Sequence, residues 1–171
     1  MRDWRARWTA AAEAGDTAVR ADLERELESL GLPEDDAEIE REMLEALDRL
    51  GELKAGVEAA GLPRIETGHR VVGSDVCHFI GPVSMPDEAA QPSGRLILTN
   101  ARAIFVGSAN GSAVPWHAVA RVVQAERDLL LVRADRQHVH RFRCNSFADA
   151  LCAAFLARHL ADRRRRAGGS L

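Results

Sequence analysis

The chain has 171 residues, 46% of them apolar and 29% charged, with a net charge of −3 and no tyrosine; that content suits one cored domain of about 100 residues with a helical attachment and excludes disorder throughout. The N-terminal stretch MRDWRARWTAAAEAGD is charged from its second residue and makes a poor secretory signal, and no apolar run approaches the ~20 residues that span a bilayer, so a cytoplasmic protein is expected. Three cysteines (Cys77, Cys144, Cys152) without a CxxC pair argue against a disulfide framework and against a cysteine-rich zinc site.

Charge divides the chain in two. Residues 1–63 carry 17 Asp/Glu against 8 Lys/Arg, and residues 64–171 carry 9 against 15. Such parts should attract each other, or each attract an oppositely charged partner. The acidic part reads as two helices. Over 16–30, Val19, Leu23, Leu27 and Leu30 share one helical face. Trp4, Trp8 and Ala12 either extend that helix back past Gly15 or precede a break at Gly15-Asp16-Thr17. From about Glu34 onward, Ile39, Met43, Ala46, Leu50, Leu53, Val57 and Ala60 recur at alternating spacings of four and three, a heptad seam. Both helices end on Gly-Leu-Pro, at Gly31-Leu32-Pro33 and Gly61-Leu62-Pro63. There glycine supplies a left-handed conformation, leucine folds back on the last turn and proline forbids continuation. The short connection makes the helices antiparallel, and Glu34, Asp35 and Asp36 place negative charge in the first turn of the second. Widened by Leu44 and Leu47, the seam either packs within the chain or pairs with a second copy or a partner helix.

The basic part reads as strands followed by one helix. After a glycine-containing link (64–74), strands are expected at 75–85, 95–99, 102–108, 113–116, 119–125, 128–134 and 138–144, a spacing that suits a barrel or sandwich. Asn110-Gly111 fits a tight hairpin turn. Ser146 and Asp149 then resemble a capping box that opens a helix to about Arg163. On it Phe147, Leu151, Cys152, Phe155, Leu156 and His159 cover about half the circumference, more than a single sheet requires, so the helix should also touch the acidic hairpin.

The stretch GRLILTNARAIFVG (94–107), then Val114-Pro115-Trp116, then Val119 and Val122, then LLLV, HRFRC and a closing helix, resembles the bacterial PH-like and GRAM-type domains. The resemblance covers about residues 65–162 and leaves the helical hairpin outside it. It implies a seven-stranded barrel with a C-terminal closing helix, a fold that hosts lipid, peptide and purely structural roles. Phosphoinositide-binding relatives carry basic residues in the loop between the first two strands. Here that loop is MPDEAAQPSG, with Asp87 and Glu88 and no basic residue before Arg95, which argues against that mode of lipid binding.

Other polar groups have a plain reading beside a functional one. Arg141 and Arg143 alternate with Phe142 and share a strand face, either solvated surface or a site for acidic side chains such as those of the hairpin. Arg163, Arg164, Arg165 and Arg166 either complement the end of the last helix or contact an anionic surface. His138 and His140 share a face, as two metal ligands would, yet nothing places a cysteine with them. No nucleophile elbow, Gly-rich phosphate loop or HExxH is present, so no enzyme activity and no cofactor are expected.

Together these features predict an α+β protein: an acidic antiparallel helical hairpin (1–63), a PH/GRAM-like barrel with its closing helix (64–166) and a flexible tail (167–171). The function expected is a non-enzymatic interaction or scaffolding module in which the barrel holds the hairpin, in cis or from another subunit. Met43, Leu44, Leu47, Leu50 and Val57 on the hairpin, with Arg141 and Arg143 on the barrel, are the expected partner-binding residues. The alternative is peripheral binding to anionic lipid through Arg163, Arg164, Arg165, Arg166 and barrel arginines; nucleic acid is disfavoured.

Overall fold

A computed structural model describes residues 1–109, 111–135 and 137–168, and of Glu34 only the backbone. The expected turn at Asn110-Gly111 thus falls partly outside the described residues. The chain is α+β: helices α1 (Arg2–Ala14), α2 (Arg20–Ser29) and α3 (Glu38–Ala60), seven strands, and a last helix α4 (Phe147–Gly168).

The N-terminal part has three helices where two were expected. Gly15, in the left-handed region at φ 64°, ends α1, and Trp4 and Trp8 of that helix are each 1% exposed. Their indole N–H groups donate to backbone carbonyls of the neighbouring helices, Trp4 to Leu23 at 2.8 Å and Trp8 to Met43 at 2.7 Å. A buried indole needs such a partner, and here it pins α1 to both α2 and α3. Both Gly-Leu-Pro stops end their helices on a glycine of positive φ, 58° at Gly31 and 84° at Gly61, though the ψ of −173° takes Gly61 out of the expected αL well, and Leu62 folds into the core. Pairing of Arg20 with Asp48 brings the start of α2 beside the middle of α3, the antiparallel arrangement the short link requires. Glu34–Ala37 form a 3-10 turn ahead of α3.

The strands are β1 (Cys77–Ser84), β2 (Ser93–Thr99), β3 (Arg102–Gly107), β4 (Gly111–Pro115), β5 (Val119–Ala125), β6 (Asp128–Arg133) and β7 (Val139–Cys144). They form one antiparallel sheet in the order β4-β3-β2-β1-β7-β6-β5. β1 and β7 pair only at Val83 with Cys144 and Ser84 with Arg143, so the sheet is two halves joined at a narrow seam. The halves face one another across a shared core, where Phe105 stacks on Phe142 with ring centroids 6.4 Å apart.

The LTN segment makes the β2–β3 turn. The Thr99 hydroxyl accepts from the N–H groups of Ala101 and Arg102 at 3.2 and 3.1 Å, and its own proton lies between the Asp75 carboxylate and the Arg102 carbonyl. Asn100 Oδ1 accepts from Val76 N–H at 2.8 Å, and the Trp116 indole donates to the Thr99 carbonyl at 2.7 Å. Gly94 sits opposite Gly107, where an added Cβ would lie 2.2 Å from the Val106 carbonyl oxygen. Only glycine allows so close a backbone approach.

Ser146 caps α4, its hydroxyl accepting from Asp149 N–H at 3.0 Å. The helix is buried on two sides: Ala153, Ala157 and Leu160 enter the sheet core, while Phe147 and Leu151 join the core of α1, α2 and α3. It runs to Gly168, past the end expected near Arg163, because arginine favours helix and its charge suits the C-terminal dipole. Ala167 and Gly168 are therefore helical, and 169–171 lie outside the described residues.

Candidate functional site

The helices and the sheet meet at an open groove of about 690 Å³. Its walls are Leu53 and Val57 of α3, Leu62 and Pro63 of the link, Phe79 of β1, and Cys152 and Leu156 of α4. Gly56 contributes no side chain, and a Cβ built on it would meet nothing within 4 Å. The wall is fixed where it turns from helix to strand: the His78 ring Nδ1 lies 2.6 Å from the Pro63 carbonyl oxygen. The carbonyl can only accept, so Nδ1 carries the proton. Charge lines the rim, with Arg49 paired to Glu52 at 3.0 Å and Arg64 and Asp149 nearby.

The sulfur in this groove is held almost wholly as the thiol at neutral pH. Burial pushes the Cys152 thiol up to about 11, whereas a catalytic cysteine needs the thiolate. Cys77 and Cys144 are buried, and all three cysteines are free.

Of the partner-binding residues expected on α3, only Val57 reaches the groove. Met43, Leu44, Leu47 and Leu50 are 4%, 4%, 0% and 2% exposed and belong to the core with Trp4, Trp8, Leu23 and Phe147. The expectation that this stripe is presented to a partner is corrected: α1, α2 and α4 already cover it. The seam is also broader than a heptad line, because α3 is covered from several sides, and Ile39 lies outside it at 46% exposed.

Arg141 and Arg143 do share a face, but their acid comes from the next strand rather than from the hairpin. Asp128 of β6, 5% exposed, receives Arg141 Nε at 2.7 Å and Arg143 Nε at 2.9 Å, and Asp87 reaches Arg141 at 3.4 Å. Burial alone would raise the Asp128 carboxyl, and the two guanidiniums more than reverse this, holding it below the ordinary carboxylate range. The pair is a strand-to-strand clamp.

Attraction between the acidic and basic parts acts instead through Glu42 and Arg127. Glu42 of α3 pairs with Arg127 and also accepts from Phe147 N–H at 3.1 Å, while the Arg127 guanidinium lies 4.9 Å over the Phe147 ring. Neither residue carries a local motif; only the charge asymmetry of the two parts hinted at such a contact.

Arg165 donates to the Ala120 carbonyl at 3.0 Å and pairs with Asp162, so it ties α4 to the outer edge of β5. Arg163, Arg164 and Arg166 are exposed and make no hydrogen bond or ion pair among the described residues. His138 bonds Asp135 at the surface, and His140 is pushed down, first by burial and then by Arg133. Among the described residues no three His, Cys, Asp or Glu side chains form a group that could hold a metal, and no helix is long and apolar enough to cross a membrane.

No protein-family model and no curated protein matches the sequence. Similar solved structures include PH-domain-containing proteins. The DH/PH domains of PDZ-RhoGEF, solved in complex with activated RhoA, are 9% identical over 72% of this chain and 42% of that one, with a TM-score of 0.46. The C-terminal domain of an unknown protein from Leishmania infantum is 10% identical over 64% of this chain and 94% of its own, with a TM-score of 0.41. Inner membrane complex sub-compartment protein 3 of Toxoplasma gondii is 8% identical over 50% of this chain and 77% of its own, also at 0.41.

Proposed function

We propose that this chain is a non-enzymatic cytoplasmic interaction module, a bacterial PH-like domain of GRAM type that holds its own N-terminal helices in cis and takes an apolar protein segment in the groove between α3, α4 and β1. One observation carries the reading. The groove is walled by Leu53, Val57, Phe79 and Leu156, and α3 lines it with a glycine, Gly56, where nothing in the chain fills the space. Glycine inside a helix costs about 0.5–1 kcal/mol relative to alanine, and an entering side chain offsets that cost. The mixed rim of Arg49, Glu52, Arg64 and Asp149 suits a peptide with both charge signs better than a bare hydrocarbon. A Cys152 thiol that stays protonated at neutral pH supports a binding role over a catalytic one.

The test is a selection of displayed peptides against the full chain. Peptides that use the groove shield Cys152 from alkylation and lose at least tenfold in affinity for Gly56→Leu, whose side chain fills the vacant space. Selected peptides that bind Gly56→Leu unchanged and leave Cys152 open would remove the reading.

A further inference from the structure

The charge asymmetry between the two parts of the chain is only partly consumed by Glu42 and Arg127. From Asp162 onward every described residue of α4 is exposed, so its last two turns extend past the core with four arginines in succession. Successive helical residues are spaced about 100° apart around the axis, and Arg163 to Arg166 therefore encircle the helix end. Arg165 folds back to the Ala120 carbonyl and Asp162, leaving Arg163, Arg164 and Arg166 exposed and without partners among the described residues. Arg121, also exposed, follows Ala120 on the edge strand and adds a charge of the same sign. The C-terminal dipole of one helix does not require so many cations, since its influence is confined to the last turn.

Exposed acids with no hydrogen bond or ion pair among the described residues lie at the other end of α4. Asp35, Glu38 and Glu45 are exposed around the start of α3, where they border a shallow cleft with Arg41 and Glu42. Ile39 is exposed on the same stretch, an apolar spot on which arginine methylenes can lie. Bonding of Glu42 to Phe147 N–H fixes this region beside the first residue of α4. The 22 residues of α4 span about 33 Å at 1.5 Å per residue, several times the Debye length of about 10 Å at 0.1 M salt. The two surfaces cannot neutralise each other within one molecule.

We propose that the arginine-ringed end of α4 docks on the acidic face of α3 in a second copy of this chain, joining molecules head to tail. A projecting cationic end and a recessed acidic face on one chain are complementary only between copies. A contact between two different surfaces is heterologous and propagates into a chain or closes into a ring. It leaves the groove between α3, α4 and β1 free, so it stands or falls independently of the function proposed above.

Sedimentation and light scattering of the full chain test this at about 20 mM and about 500 mM salt, where screening differs strongly. At low salt the weight-average mass should rise with concentration above the 18.7 kDa of one chain, and high salt should restore the monomer. The triple variant Arg163→Glu, Arg164→Glu, Arg166→Glu should remain monomeric at low salt, as should the double variant Glu38→Arg, Glu45→Arg. Mixing the two in equal amounts should restore association, because each then meets a complementary surface. All five side chains are exposed, so the fold should persist; glutamine at the same positions gives a milder version with the same sign. A monomer at low salt overturns the proposal, whether or not phosphatidylserine vesicles or duplex DNA then bind the arginines. So does association that survives either substitution set or high salt.

Discussion

Glu42 of α3 accepts a hydrogen bond from the backbone N–H of Phe147, the first residue of α4, at 3.1 Å across 105 residues of chain. The same carboxylate pairs with Arg127, whose guanidinium lies over the Phe147 ring. One acid thereby satisfies a free N–H of the α4 N-terminus, complements its dipole and neutralises a cation of the sheet. Glu42→Ala should destabilise the protein by about 2–3 kcal/mol, in the range of a hydrogen bond to a charged group with a polar group left unpaired. Glu42→Gln keeps an acceptor for Phe147 N–H and should lose only about half as much. Urea unfolding of the two variants checks the order, and equal losses would mean that the Phe147 bond contributes nothing.

Gly94 and Gly56 give opposite expectations for the same substitution. At Gly94 a Cβ would lie 2.2 Å from a backbone oxygen of the paired strand, and backbone cannot yield as a flexible side chain can. Gly94→Ala should open the β2–β3 ladder and cost more than about 2 kcal/mol, as overpacking does. At Gly56 the same methyl meets nothing within 4 Å on a regular helix, so Gly56→Ala should stabilise by about 0.5–1 kcal/mol. Thermal midpoints of the two variants should move in opposite directions.

Legibility of the fold in the sequence followed the range of the interactions. All seven strands, both Gly-Leu-Pro stops and the Ser146 cap were readable, because period-two alternation, punctuation and capping are set within a few residues. α1 was half readable. Its tryptophans stood out, but their roles depend on the carbonyls of Leu23 and Met43, 19 and 35 residues away. The heptad on α3 was misleading in one respect: periodicity marks a face as buried without naming what buries it, and here α1, α2 and α4 do so within the chain. Alternation likewise put Arg141 and Arg143 on one face, but cross-strand register decided their partner, pairing Asp128 with Arg143. The groove was not legible at all. It is formed where α3, the link, β1 and α4 converge, and Gly56 gave no local sign that it would face empty space.

Cys152 should be the cysteine that reacts in the folded protein, since Cys77 and Cys144 are 2% and 3% exposed. Its thiol, pushed up to about 11 by burial, is almost wholly protonated near neutral pH. Because thiolate is the reacting form, iodoacetamide should modify it slowly, with the rate rising about tenfold per pH unit between roughly pH 7 and pH 9. Mass spectrometry of pulse-labelled protein should find the label on Cys152 alone. A fast, pH-independent reaction at that residue would contradict the burial of its sulfur.

Asp128 makes the sheet sensitive to acid in a defined direction. Its carboxyl, clamped by Arg143 and Arg141, is held below the value of about 3.9 that an unfolded aspartate has. The folded state therefore favours the ionised form, and the resulting stability is fully present above about pH 4. As pH falls through the lower folded value that stability is lost, because protonation removes the charge both guanidiniums are bonded to. Asp128→Asn keeps the shape but not the charge. At neutral pH it should cost about 1–3 kcal/mol, moderated because Arg141 and Arg143 are partly exposed and can be rehydrated. Measured by urea unfolding, the gap between wild type and Asp128→Asn should be constant from pH 7 to about pH 4.5 and should narrow toward pH 2. A gap that widens on acidification would assign the acid sensitivity to another carboxylate and leave the clamp a matter of shape alone.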